Sequence, residues 1–140
     1  MKKNIYLLLL VIITCSCKYS SKHEIKSVAY DFTNALYNFR YKEAKQLVTQ
    51  ESCLTLVFYS SNIHQSDLDL YKKFGRPKIK VENVNLNSEN DEDAIAYVDV
   101  KNFIKLNLIS NTSSVIKEKK IKLHLKKIQG KWIVDLKSPF

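Results

Sequence analysis

Two periods meet at Pro77. Before it, apolar residues recur at steps of three and four; after it, they alternate with polar ones. Ile25, Val28, Ala29, Phe32, Leu36 and Phe39 form one stripe, flanked by Tyr30 and Tyr37, and this spacing predicts an amphipathic helix. Tyr41, Ala44, Leu47 and Val48 repeat the pattern over a shorter stretch. Thr49 is placed to cap a third helix from about Glu51 that carries Cys53, Leu54, Leu56, Val57 and Phe58. That helix is expected to break near Ser60 to Asn62 and to resume from Ser66, as cap, to Phe74. Gly75 would terminate it, and Pro77 opposes continuation.

After Pro77 four strands are predicted. In KIKVENVNL, Ile79 and Val81 are out of phase with Val84 and Leu86, which a bulge would reconcile. After an acidic turn, Ser88 to Asp93, the next strand puts Ala94, Ala96, Val98 and Val100 on one face. Ile95, Tyr97, Asp99, Lys101 and Phe103 fall on the other. Ser110 to Ser114 is a second turn. Ile121, Leu123 and Leu125 then face one way, and Lys120, Lys122, His124 and Lys126 the other. Gln129 and Gly130 turn the chain into a last strand with Trp132, Val134 and Leu136 aligned. Helices followed by an antiparallel meander give an α+β fold, with the helices on one sheet face.

The N-terminus is different. Lys2 and Lys3 precede an apolar run, Ile5 to Ile13, and small residues follow. The run is about half of what a membrane-spanning helix needs, and the layout is that of an export signal. It resembles a bacterial lipoprotein signal, which ends before a cysteine that is lipidated. Ser16 before it favours Cys17; Ile12, three residues upstream, favours Cys15 as the alternative. The expected organisation is a signal peptide over 1–16, a polar tether over 17–24 and one domain over 25–140. Acyl chains on one cysteine would anchor the chain stably to a membrane of the cell envelope.

The chain carries a net charge of +9, with 23 Lys plus Arg against 14 Asp plus Glu. Arg40 and Arg76 are the only arginines, which disfavours bidentate phosphate reading, and an exported chain seldom meets nucleic acid. After cleavage at Cys17, Cys53 is the one remaining thiol, so no internal disulfide is expected. It reads as core filling rather than a nucleophile.

Three stretches together resemble the nuclear transport factor 2-like (cystatin-like) superfamily: AYDFTNALYNFRYKEAKQLVT, DAIAYVDVKNF and IKLHLKKIQGKWIVD, within Ala29 to Asp135. The resemblance implies a curved antiparallel sheet wrapped around an N-terminal helix to form a cone. With the lipoprotein signal, the chain also resembles small bacterial lipoproteins with a domain of unknown function. The superfamily holds enzymes and binding domains, so the fold leaves function open.

The residues themselves give little chemistry. Asp99 and Asp135 fall opposite the apolar face, and Asp31 reads as a solvated helix flank. His23, His64 and His124 are scattered over tether, helix and strand, so no metal site, cofactor or catalytic residue is expected. A pocket, if formed, would be lined by Phe32, Leu36, Val98, Val100, Leu123 and Trp132. Lys101, Lys105, Lys120, Lys122, His124 and Lys126 would form a basic sheet face. That face could meet anionic headgroups or glycans, but it more simply keeps the sheet soluble. The expected function is a non-catalytic domain on a membrane-anchored lipoprotein, binding a small ligand or another envelope protein. The alternative is a small periplasmic enzyme that uses the cone pocket.

Overall fold

A computed structural model of the chain describes residues 21–108 and 112–136. The candidate lipidation sites Cys15 and Cys17 lie outside the described residues. Helix α1 occupies 21–37, so residues 21–24 of the expected tether are helical. Of its stripe, Ile25, Ala29, Phe32 and Leu36 are buried in the core, Val28 and Phe39 pack against it half-buried, and Ala35 joins them. Thr33, also buried, donates its hydroxyl to the Ala29 carbonyl at 2.7 Å, which satisfies it inside the helix.

Helix α1 ends in a tight cap. The Arg40 N–H donates to the Ala35 carbonyl at 2.8 Å, and the Phe39 N–H to that of Leu36 at 3.2 Å. This crossed pair is a Schellman motif, which needs its penultimate residue in the left-handed region. Glycine usually fills that position; here it is Phe39, with φ of 59°.

Helix α2 (Tyr41–Ala44) runs into a 3-10 turn, Lys45–Leu47. Helix α3 (Gln50–Ser61) is capped by Thr49, whose hydroxyl accepts the Ser52 N–H at 3.3 Å. Of the apolar residues expected on α3, only Leu56 is fully buried; Leu54, Val57 and Phe58 face solvent. Helix α4 is Gln65–Phe74. Its N-cap is His64 rather than Ser66, and the His64 N–H donates to Asp67 Oδ2 at 2.7 Å. Gly75, with φ of 82°, closes α4 by donating to the Tyr71 carbonyl.

The strands β1 (Lys78–Leu86), β2 (Asp93–Lys105), β3 (Ser114–Ile128) and β4 (Lys131–Asp135) form one antiparallel sheet in the order β1-β2-β3-β4. The bulge inferred for β1 is present. Val81 pairs with Val98 but Asn83 with Tyr97, and this one-residue slip turns Ile79, Val81, Val84 and Leu86 all inward. Gln129 and Gly130, at φ 50° and 79°, form the tight hairpin between β3 and β4.

The core lies between the helices and the inner sheet face, where Ala96, Val98, Val100, Leu123, Leu125, Trp132 and Val134 are buried. The outer edge of β4 is occupied. Val48 bridges Val134 in parallel, the Thr49 N–H donates to the Val134 carbonyl at 2.9 Å, and the Leu136 N–H donates to Ser52 Oγ at 2.9 Å.

Candidate functional site

The cone interior is packed where the sequence places a pocket. Phe32, Val98, Val100, Leu123 and Trp132 are each at most 2% exposed and belong to the core. Of the six expected lining residues, Leu36 alone borders the cavity at the cone mouth. Strand parity identifies which side chains face inward. It does not say whether the helices fill the space, and α1 fills it with Phe32.

The open space lies further along, at the cone mouth. It is a cavity of about 320 Å³ between the end of α1, the C-terminal end of β2 and the start of β3. That volume is at the lower end of the range for small-molecule sites. Its walls are aromatic: Tyr37, Phe39, Tyr41, Tyr59 and Phe103. The Tyr37 and Phe103 rings meet edge to face with centroids 4.7 Å apart, Phe39 stacks on Tyr41 at 6.5 Å, and Phe39 meets Tyr71 edge to face at 5.6 Å.

Two of these walls depend on left-handed backbone at residues other than glycine. Phe39 holds that conformation itself. Asn102 holds it beside Phe103, at φ of 54°. Alternation from Val98 and Val100 puts Asn102 inside and Phe103 outside. The left-handed residue reverses the phase: Asn102 is exposed, while Phe103 and Ile104 are buried. Asparagine tolerates this region better than most residues, but a bulky residue such as Phe39 seldom adopts it.

Each polar side chain of the cavity can donate a hydrogen bond. Burial pushes the Tyr37 phenol up to about 12, helped by the neighbouring phenol of Tyr59. Tyr41 is raised further, first by burial and then by Tyr59, Tyr37 and Asp67. Both therefore keep their protons at neutral pH. Ser114, Asn107, Lys105 and Lys119 complete the polar lining. Lys105 was expected on the basic outer face with Lys101; beyond Asn102 it borders the cavity instead. Lys119 was missed, although a signal was present. It is in phase with Ile121, Leu123 and Leu125 and continues their inward row, opposite Val100.

Asp67 was also missed. It is 1% exposed, and its Oδ1 has no hydrogen-bond partner among the described residues. Asp31 is exposed, as expected, and accepts from Ser27 at 3.4 Å. Cys53 is a partly buried free thiol.

The outer sheet face brings together Lys101, Lys120, Lys122, His124 and Lys126, with carboxylates between them. Lys101 meets Asp99 at 3.5 Å and Glu118 at 3.1 Å, and Lys126 meets Asp135 at 2.8 Å. Asp99 and Asp135 are buried on this face rather than solvated. Hydrogen bonding to Glu118 raises Lys101, and hydrogen bonding to Asp135 raises Lys126, so both stay charged. Much of the basic character is thus neutralised locally. A second depression, at the other end of β2, takes in Ala94 and Leu125 from the inner face but Ile95, His124 and Lys126 from the outer one. It wraps the strand ends.

Solved structures share this arrangement of helices and sheet. An NTF2-like protein from Campylobacter jejuni, provisionally named a transpeptidase, matches with a TM-score of 0.51 at 22% identity, over 79% of this chain and 96% of that one. The fold is NTF2-like. Aln2 from a Streptomyces species matches with a TM-score of 0.50 at 6% identity, over 79% of this chain and 82% of that one. No protein-family model matches the sequence, and neither does any curated protein.

Proposed function

We propose that this chain is a lipid-anchored envelope lipoprotein whose NTF2-like domain binds a small molecule in the cavity at the cone mouth and does no chemistry on it. The observation that carries the reading is the strained backbone at Phe39 and Asn102. Left-handed backbone at residues other than glycine concentrates at functional sites, where it aims particular side chains. Of the four such residues among those described, Asp91 and Gln129 sit in turns, while Phe39 and Asn102 each put a ring, Phe39 or Phe103, into the wall of one cavity. Non-catalytic binding draws support from the phenols: a tyrosine with its pKa pushed up to about 12 donates hydrogen bonds but is no base near neutral pH. Anchoring rests on the run from Lys2 to Cys17.

The test titrates 2-naphthol, a neutral aromatic probe, into the full chain held in phosphatidylcholine nanodiscs, with empty nanodiscs as the blank. Saturable binding that is lost in Ser114→Trp, which plugs the cavity from the start of β3, is the expected result. Binding that is unchanged in Ser114→Trp would overturn the assignment of the site.

A second reading, a small periplasmic enzyme, draws on one observation. The buried Asp67 carboxylate lies close enough to influence Tyr41, a wall of the cavity. Turnover in a hydrolase and isomerase screen that disappears in Asp67→Asn would favour it.

A further inference from the structure

We infer that the occupant of the cavity is an organic anion: an apolar, ring-sized body bearing one carboxylate or sulfonate, with the charged head between Lys105 and Lys119. This rests on the reading of the cone mouth as a ligand site and goes on to specify the ligand's chemistry.

The described lining has two ends. Phe39, Tyr41 and Tyr59, from the helices, make an apolar wall; Lys105, Ser114 and Lys119, from β2 and β3, make a polar one. Lys105 and Ser114 face each other in register, and Lys119 is carried inward by the buried row of β3. Both lysines therefore border the cavity from adjacent strands. An ammonium offers only donors. The phenols of Tyr37 and Tyr41 keep their protons, so they can donate as well. Asp99, Glu118 and Asp135, on β2, β3 and β4, stand on the outer face with Lys101 and Lys126 as partners, and Glu82 on β1 pairs with Lys80. Those carboxylates neutralise part of the outer face, while Lys105 and Lys119 add positive charge at the cavity. A site rich in donors and positive charge selects an acceptor that carries negative charge. The aromatic wall opposite selects a flat apolar body. A cation would meet two like charges, and a neutral ring would leave them without a partner.

The experiment compares 2-naphthoate, 2-naphthol and 2-naphthylmethylammonium on the full chain in phosphatidylcholine nanodiscs, by calorimetric titration at neutral pH. 2-Naphthoate is expected to bind at least about tenfold more tightly than 2-naphthol, a modest ratio for a charge at partly screened contact distance. The ammonium probe should bind more weakly than either. In the double variant Lys105→Gln, Lys119→Gln the advantage of the anion should vanish while 2-naphthol binding persists. Both lysines are exposed, so the variant keeps the core intact. Raising the salt should weaken 2-naphthoate alone. Equal affinity for anion and neutral probe, or an anion preference that survives the double variant, overturns the inference and leaves the ligand site standing. Failure of all three probes to bind overturns both.

Discussion

The hydroxyl of Tyr71 donates to Asn38 Oδ1 at 2.6 Å, tying α4 to the end of α1 across 33 residues of chain. Asn38 in turn donates its amide to the Asn34 carbonyl at 2.7 Å and to Asn34 Oδ1 at 2.9 Å. Phe39 follows directly, and its ring lies against Tyr71. The chain holds Phe39 in a costly conformation, and this small network fixes it there. Tyr71→Phe keeps the ring contact and deletes the hydrogen bond. It should cost about 0.5–1.5 kcal/mol, the usual net worth of one such bond. Urea denaturation measures the cost, and faster amide exchange at Phe39 and Arg40 would locate it. Unchanged exchange there would mean the network does not hold the cap.

Asn102 gives a sharper test, because two substitutions should differ. Asn102→Gly adopts the left-handed region freely, so stability should change by less than about 0.5 kcal/mol. Asn102→Val meets the clash that excludes branched residues and should lose about 1–2 kcal/mol. Phe103 should also leave the cavity, visible as lost contacts to Tyr37 in aromatic proton spectra. Equal stability of the two variants would show that the phase change has another cause.

Trp132 is 2% exposed and packs within the core. Trp132→Ala should cost about 3–5 kcal/mol, as for other large core aromatics. A loss below about 1 kcal/mol in a denaturation series would show that its side chain is dispensable to the core.

High pH should unfold the domain in a defined window. The Tyr37 phenol ordinarily ionises near 10.0 and is raised to about 12 in the fold. Between those values the unfolded chain releases the proton and the folded chain retains it. Stability that is present below pH 10 is therefore lost as pH rises toward 12. Tyr37→Phe should flatten this slope in a pH series of denaturation midpoints. An unaltered slope would assign the effect to the other phenols.

Lipid anchoring has its own readout. Intact-mass analysis of protein extracted from membranes should show loss of residues 1–16 and added acyl mass on Cys17. A mature chain starting at Cys15 would move the site, and an unprocessed chain would remove it.

How much of this could be read from the sequence depended on what period encodes. The phase break between Val81 and Val84 led directly to the β1 bulge, because alternation is a strict constraint on a half-buried strand. Thr49 and Gly75 marked helix ends through side-chain and backbone chemistry that is local. Phe39 and Asn102 left no such mark: a left-handed residue is obvious when it is glycine and silent when it is not. That silence moved Phe103 to the wrong face and hid the aromatic wall. Asp67 sits among polar neighbours, Gln65, Ser66 and Asp69, and nothing in their side-chain types separates the buried carboxylate from these exposed ones. The pocket was placed too deep because alternation reports direction, and only packing reports volume.

The two edges of the sheet bear on how the molecule behaves in a crowd. An unpaired strand edge is a template onto which another chain can add. At β4 the template is already in use, since Val134 is bonded to Val48 and Thr49 of its own chain. At β1 it is interrupted. Lys78, Lys80 and Glu82 stand along it, and the bulge between Val81 and Asn83 breaks the even spacing an incoming strand would have to match. Strand-by-strand growth into fibrils is therefore blocked at one edge by occupancy and at the other by charge and irregularity.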